Sequence, residues 1–251
     1  GPQTPLKDLT RTRVREVVWQ AWPTAATRNR YINQLNSILN TWNQEHENKV
    51  FNPFSGLTNK KLERKSATDR LPFTPRQWRQ YRDILIACPN REVGLIGLIM
   101  LYTGCRTEDA SGLQMRDVKL HTDVPYLVFR DNEIRTLAKN DLDRAVPIVE
   151  ELLALLKSYE APPEQSSPFF PRYGTQNGAT NSSALLMKLV RGKMGIKDKR
   201  IVAYSTRHTM HDMLDAAHVP LRQQHYLTGH KTQESSQVHD TYGTKMPPKT
   251  L

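Results

Sequence analysis

Cysteine is scarce in this sequence: Cys88 and Cys105 are the only two in 251 residues. They form no CxxC pair, and no histidines flank them at metal-ligand spacing, so a disulfide framework and a zinc site are both disfavoured. The chain also lacks an apolar run near the roughly 20 residues that cross a bilayer, and its start lacks a signal-peptide pattern. We therefore expect a protein of a reducing, cytoplasmic compartment with no membrane partner.

Acidic residues are outnumbered: 25 Asp and Glu face 36 Lys and Arg, a net charge of +11. Residues 1–65 hold 11 basic and 5 acidic side chains, so the first quarter of the chain carries +6 of that charge. Such an excess favours a polyanionic partner, above all nucleic acid. A basic surface without such a partner is the alternative that charge alone leaves open.

Two N-terminal segments have the apolar periodicity of amphipathic helices. The first carries Val14, Val18 and Trp19, and the second runs from Thr27 to Trp42. A charged linker follows and ends the pattern. The basic residues of the second helix and of the linker are candidate DNA contacts: Arg28, Arg30, Lys60, Lys61, Arg64 and Lys65.

The rest of the chain predicts a larger, mainly helical domain. A helix begins after Thr74, with Pro75 at its first position, and the run 93–101 is apolar on nearly every side, which indicates a buried helix. Two short strands are predicted between 124 and 148, with a turn at 140–141, and helices at 150–159, 183–190 and 206–217. The fold class is mainly α with a small antiparallel sheet (α+β), divided into a helical domain at 3–65 and a second domain at 66–251. The first two residues resemble a cleaved tag and are left out.

Three short segments hold residues suited to phosphate chemistry. Arg106 follows the buried helix through a glycine turn, and Arg207 lies in Tyr-Ser-Thr-Arg-His at a helix start. His230 ends Leu-Thr-Gly-His, and Tyr242 follows twelve residues later. Taken singly, an arginine near a helix start is most often a surface charge.

In this order, together with a lysine on a hairpin, the segments resemble those of the tyrosine recombinase (phage integrase) family. The resemblance covers nearly the whole chain and implies a helical core-binding domain before the catalytic domain. It also implies these catalytic residues: Arg106, Lys139, Tyr204, Arg207, His230 and Tyr242. Asp109 stands where an acidic residue supports the first arginine.

This sequence departs from the family pattern at two places. Tyr204 stands where the family most often has histidine, and a tyrosine with a pKa of about 10 is a poor general base at neutral pH. Its hydroxyl can still donate a hydrogen bond to a phosphate oxygen. The gap from His230 to Tyr242 is also longer than usual, and His239 stands where the nucleophile falls in shorter members. Tyr226 is the alternative nucleophile, although its apolar neighbours favour packing in a helix.

The chemistry explains why these residue types occur together. Attack on a phosphodiester spreads negative charge over oxygens that two arginines can bind bidentately. Lys139 can protonate the leaving 5′ oxygen, and a 3′-phosphotyrosine conserves the bond energy for rejoining. No cofactor or metal is expected.

The resemblance implies a site-specific recombinase that integrates or excises a phage or other mobile element. Its partners would be double-stranded DNA and a homo-tetramer on paired DNA sites, with room for DNA-bending accessory proteins. Only nine residues follow Tyr242, so we expect weakened assembly and a protein incomplete at both ends. A bacterial or phage origin and a nucleoid location are expected. A type IB topoisomerase-like enzyme and a catalytically decayed DNA-binding protein are the alternatives.

Overall fold

The chain divides into two compact units, Gly1–Asp69 and Arg70–Leu251. The computed structural model describes residues 5, 8–22, 24–47, 49–58, 70–137 and 143–229. Each unit has its own apolar core. The predicted fold class, mainly helical with a small antiparallel sheet, is confirmed.

The first unit contains the two predicted helices, α1 (Arg11–Ala21) and α2 (Ala25–Glu45). Each begins at a threonine whose side chain accepts a backbone N–H of the first turn: Thr10 accepts from Arg13, and Thr24 from Thr27. Such caps satisfy amides that have no partner within the helix. The two helices share an apolar cluster with the segment after them, formed by Val14, Val18, Ile32, Leu39, Phe54 and Leu57.

The second unit is built around a helix that is apolar on every side. Helix α3 (Pro75–Ile86) has the predicted start, where Thr74 and Gln77 form a reciprocal capping box. It packs against α4 (Arg91–Thr103), whose residues 93–101 are all buried. Because four other helices of this unit also pack against α4, none of its faces is left for solvent.

A three-stranded antiparallel sheet covers part of this core, in the order β1-β2-β3. Strands β2 (Tyr126–Phe129) and β3 (Arg144–Pro147) match the two predicted strands, and Phe129 pairs with Arg144. The sequence prediction missed β1 (Val118–Lys119), which is only two residues long and therefore has no alternating pattern to detect. The turn predicted at 140–141 lies outside the described residues.

The described residues of this unit contain five further α-helices, and bounds were predicted for three of them. Helices α6 (Glu150–Lys157) and α8 (Ser205–Ala216) lie close to their predicted bounds. Helix α7 (Gly178–Lys188) begins five residues earlier than predicted. The first five residues of the helix show no apolar period that sequence analysis could detect, and the helix packs against α5. Helix α9 (Leu221–Thr228) contains Tyr226, for which packing in a helix was predicted, whereas the short helix α5 (Thr107–Ser111) was not predicted.

Two features of other protein classes are absent from the described residues. None of their helices is both long and apolar enough to cross a membrane. No group of three or more His, Cys, Asp or Glu side chains in this part of the chain is arranged to hold a metal ion.

Candidate active site

The position of Arg106 is set by the turn that ends α4. Gly104 caps the helix in a left-handed conformation, with φ +66°, and its N–H donates to the Met100 carbonyl at 2.9 Å. A Cβ at residue 104 would lie 2.9 Å from Met210 in α8, so both the backbone angle and the close packing require glycine. The chain then enters α5 with Arg106 at its N-cap, half-buried beside the end of the buried helix.

Arg207 reaches the same turn from the first turn of α8. The residue is only 2% exposed, and its Nη1 donates to the Gly104 carbonyl at 2.9 Å. Burial lowers the pKa of Arg207 to about 10, with Tyr204 acting in the opposite direction and Arg106 adding to the decrease. The guanidinium therefore remains charged at neutral pH and lies within electrostatic range of Arg106.

Tyr204 lies at the N-cap of α8, half-buried, with its ring edge-on to His208 at 5.7 Å between centroids. Arg106 and Tyr204 both line a cavity of about 330 Å³ between α5, α7 and the start of α8. The other lining residues are Thr107, Glu108, Ala179, Thr180 and Ser183. The structure thus brings Arg106 together with two predicted site residues that come about a hundred positions later in sequence, Tyr204 and Arg207.

The Asp109 carboxylate accepts two hydrogen bonds close to Arg106. Its Oδ2 accepts the backbone N–H of Arg106 at 3.2 Å and Nη2 of Arg144 at 2.9 Å. Arg135 lies on its other side, with Nη1 3.8 Å from Asp109 Oδ1 and 2.7 Å from the Asp109 carbonyl oxygen. This carboxylate is 3% exposed, so it neutralises buried guanidinium charge close to Arg106.

Sequence reasoning missed Arg144 as a site residue. Its side chain is fully buried at the first position of β3, contacts Asp109, and donates through Nε to the Leu227 carbonyl at 3.2 Å. The available signal was a basic residue within a short apolar strand, next to the segment that carries Lys139. That pattern does not reveal a buried charge, because its partner is 35 residues away.

The remaining predicted catalytic residues lie outside the described residues: Lys139, His230 and Tyr242. Gly229, which directly precedes His230, is described and ends α9 in a left-handed conformation, with φ +79°. Tyr226, the alternative nucleophile, lies within α9, where its hydroxyl accepts the backbone N–H of Ala145 at 3.1 Å.

The two described candidates for DNA contact differ in accessibility. Arg30 is exposed on α2, whereas Arg28 is half-buried, donates to the Trp22 carbonyl at 3.1 Å and lies over the Trp19 ring at 4.9 Å. Arg28 therefore joins α1 to α2 as well as adding positive charge. The linker candidates lie outside the described residues: Lys60, Lys61, Arg64 and Lys65.

Comparison with solved structures places the fold among tyrosine recombinases. Lambda integrase, solved as a dimer bound to a COC′ core site, has a TM-score of 0.66 at 15% identity, with 98% of this chain and 85% of that chain covered. The XerH site-specific recombinase bound to difH has a TM-score of 0.63 at 18% identity, covering 94% and 68%. The Tn1549 transposon integrase, in complex with transposon right end DNA, has 0.60 at 18% identity, covering 97% and 84%.

The sequence comparisons agree with this fold. No curated protein sequence matches the chain. The sequence profile of the phage integrase family matches residues 78–242, which include Arg106, Arg207 and Tyr242. The two arginines predicted as catalytic lie at one turn of this fold, and the profile covers most of the chain. The chain belongs to the phage integrase family of tyrosine recombinases, which are DNA strand transferases.

Proposed function

We propose that this chain is a site-specific recombinase that cleaves and rejoins double-stranded DNA through a 3′-phosphotyrosine and integrates or excises a mobile element. The observation that carries the proposal is the convergence of Arg106 and Arg207 at the Gly104 turn, beside a cavity lined by Arg106 and Tyr204. Besides burial, Arg106 and Arg144 both lower the pKa of Arg207, and the Asp109 carboxylate offsets only part of this positive charge, so the turn favours a further anion. A phosphodiester in the cavity would supply that anion.

The two arginines would stabilise the charge that develops during attack on phosphorus. Arg207 is held before DNA binds, because Nη1 is bonded to the Gly104 carbonyl. Arg207 would bind a non-bridging phosphate oxygen with a guanidinium that is already ordered, which is the form of electrostatic stabilisation that accelerates reactions most. Arg106 would bind a second oxygen from the start of α5, and Tyr204 would donate its hydroxyl to the same phosphate.

The residues outside the described part of the chain would carry the covalent steps. The Tyr242 oxygen would bond to phosphorus while the bond from phosphorus to the 5′ oxygen breaks. Lys139 would give its proton to that leaving oxygen, and His230 would hydrogen bond to the phosphate. In rejoining, the 5′ hydroxyl attacks the phosphotyrosine, and the same groups act in reverse.

The proposed partner is duplex DNA, contacted by basic residues of both units. XerH, the Tn1549 integrase and lambda integrase were each solved in DNA complexes, which supports this choice. The net charge of +11 would attract the phosphate backbone. Exchange between two sites also requires more than one protomer, so we propose a homo-tetramer on paired sites, with DNA-bending proteins as additional partners.

The test is capture of the covalent intermediate on nicked duplex DNA, which traps the adduct because the short cleaved strand diffuses away. The duplex would carry a site selected by the protein from a random pool. Tyr242→Phe removes one oxygen, so we expect DNA affinity to remain while the adduct disappears. Tyr226→Phe is the matched control and should still form the adduct.

Three results would contradict parts of the proposal. Adduct formation by Tyr242→Phe would make Tyr226 the nucleophile to test. Specific DNA binding by the wild-type protein without any adduct would indicate a decayed enzyme. Relaxation of supercoiled DNA without exchange between two defined sites would indicate a topoisomerase.

A further inference from the structure

Arg144 is a fully buried cation with ion-pair, hydrogen-bond and aromatic partners. Its side chain is 0% exposed at the first residue of β3. Burial of a guanidinium is strongly unfavourable unless its charge and its donors are matched. Here Nη2 donates to Asp109 Oδ2 at 2.9 Å, Nε donates to the Leu227 carbonyl at 3.2 Å, and the group lies over the Phe129 ring at 4.6 Å.

The contact with Asp109 connects Arg144 to two parts of the proposed active site. Asp109 accepts the backbone N–H of Arg106 at 3.2 Å, so the carboxylate is fixed to the start of α5. Arg135 donates to the carbonyl of the same residue at 2.7 Å. In sequence, Lys139 comes four residues after Arg135 and five before Arg144. Both flanks of the segment that carries the lysine are therefore attached to Asp109.

The contact with Leu227 connects the same guanidinium to the end of α9. Gly229, two residues later, packs directly on it: a Cβ at this position would lie 2.5 Å from Nη1 of Arg144. The next residue in sequence is His230. One side chain thus holds together α5, β3 and the end of α9, each of which is close in sequence to a proposed catalytic residue: Arg106, Lys139 and His230 respectively.

We propose that Arg144 is a positioning residue for DNA cleavage: it fixes β3, the strand that follows Lys139 in sequence, and so serves the protonation of the leaving 5′ oxygen by that lysine. The inference rests on the proposed function, because Lys139 has this role only in that reaction. Arg144 is fully buried and does not reach DNA, so it acts through the lysine. Its attachments to Asp109 and Leu227 keep the strand from shifting relative to Arg106.

The test replaces Arg144 by lysine and changes the leaving group of the DNA. Arg144→Lys keeps a positive charge for Asp109 but has a shorter, single donor group, which cannot also reach the Leu227 carbonyl. We expect cleavage of nicked duplex DNA to slow by about 10²-fold, the loss typical of a displacement near 1 Å of a reacting group. Folding and DNA affinity, followed by circular dichroism and filter binding, should stay near wild type.

A 5′-bridging phosphorothiolate at the cleavage site distinguishes positioning of the lysine from a general defect. When the Tyr242 oxygen bonds to phosphorus, the bond from phosphorus to sulfur breaks and the thiolate leaves without a proton. Lys139→Ala should therefore regain activity on this DNA, which makes it the reference variant. Arg144→Lys should regain most of its lost activity in the same way.

Arg130→Lys is the matched control, because it changes another arginine paired with a buried carboxylate of the same sheet. Arg130 comes directly after β2, and its Nη2 lies 2.8 Å from Oδ1 of Asp117. The Asp117 side chain is 0% exposed. It flanks neither Lys139 nor α9. Cleavage by this variant should stay close to wild type on both DNA substrates.

Three outcomes overturn the inference, and a fourth overturns the proposed function. An equal loss on the oxygen and sulfur substrates, or no loss on the oxygen substrate, overturns it. If Arg144→Lys does not fold, Asp109→Asn repeats the comparison, because it keeps an acceptor for the Arg106 N–H and loses the charge. If neither variant folds, the pair is only structural and the inference is overturned. A wild-type protein that forms no adduct on either substrate overturns the proposed function instead.

Discussion

Replacement of Arg207 by lysine isolates what the guanidinium contributes beyond its charge. In the structure, Nη1 of Arg207 is already bonded to the Gly104 carbonyl at 2.9 Å, and the residue is 2% exposed. A lysine ammonium carries the same charge at one point. It can bond to the carbonyl or to a phosphate oxygen, but it cannot hold both in the planar geometry of the fork.

The expected magnitude follows from this geometry. Arg207→Lys removes one preorganised donor to the reacting phosphate while Arg106 remains in place. Loss of one such donor costs about 10² to 10³ in rate, or roughly 2.7 to 4 kcal/mol of transition-state stabilisation. The ground-state complex would be held by many phosphate contacts, so DNA affinity should change little.

The assay is single-turnover formation of the covalent adduct on nicked duplex DNA at saturating protein. Arg200→Lys is the matched control, since Arg200 is an exposed arginine whose Nη2 pairs with Asp198 at 2.8 Å. This control should react like the wild type. An adduct rate for Arg207→Lys equal to that of the control would refute the idea that the fork stabilises the transition state.

Three further predictions use the same protein. Tyr204→Phe should slow adduct formation by about tenfold or more, the cost of one hydrogen bond to a charged group, and an unchanged rate would remove Tyr204 from the site. Gly104→Ala should lower the free energy of unfolding in urea by at least about 1 kcal/mol, because the left-handed backbone disfavours alanine. Gly192→Ala is the control and should not destabilise the protein, because a Cβ at residue 192 would meet no atom within 4 Å. Burial lowers the pKa values of His208 and His211, so both favour the neutral form in the folded state. The urea midpoint should therefore fall as the pH drops below about 6.5, the ordinary histidine value, and replacement of both by glutamine should reduce that fall.

Much of the fold could be predicted because local periodicity and capping residues act over short distances. Thr74 and Pro75 indicate where α3 begins, and the all-apolar run 93–101 indicates a helix buried on every side. The missed elements were short ones: β1 has two residues and α5 has five. Segments of that length have no readable period, and their form depends on the neighbours against which they pack.

The candidate site was predictable only as a set of residue types in order. Arg106 and Arg207 could be chosen because each stands in a recognisable segment of the family's motif. Arg144 could not, because a guanidinium in a strand looks like an edge charge until its buried partner is known. Asp109 is that partner, 35 residues away, and no local pattern connects the two.

By itself, the sequence determined the family, the helical class and the identity of the residues suited to phosphate chemistry. These depend on residue type, spacing and charge, which can be read directly from the amino-acid sequence. Only the tertiary structure decided that Arg207 bonds to the turn before Arg106, and that one buried arginine connects β3 to α5 and α9. The physical reason is that burial and hydrogen-bond partners are set by segments distant in sequence, which meet only when the core closes.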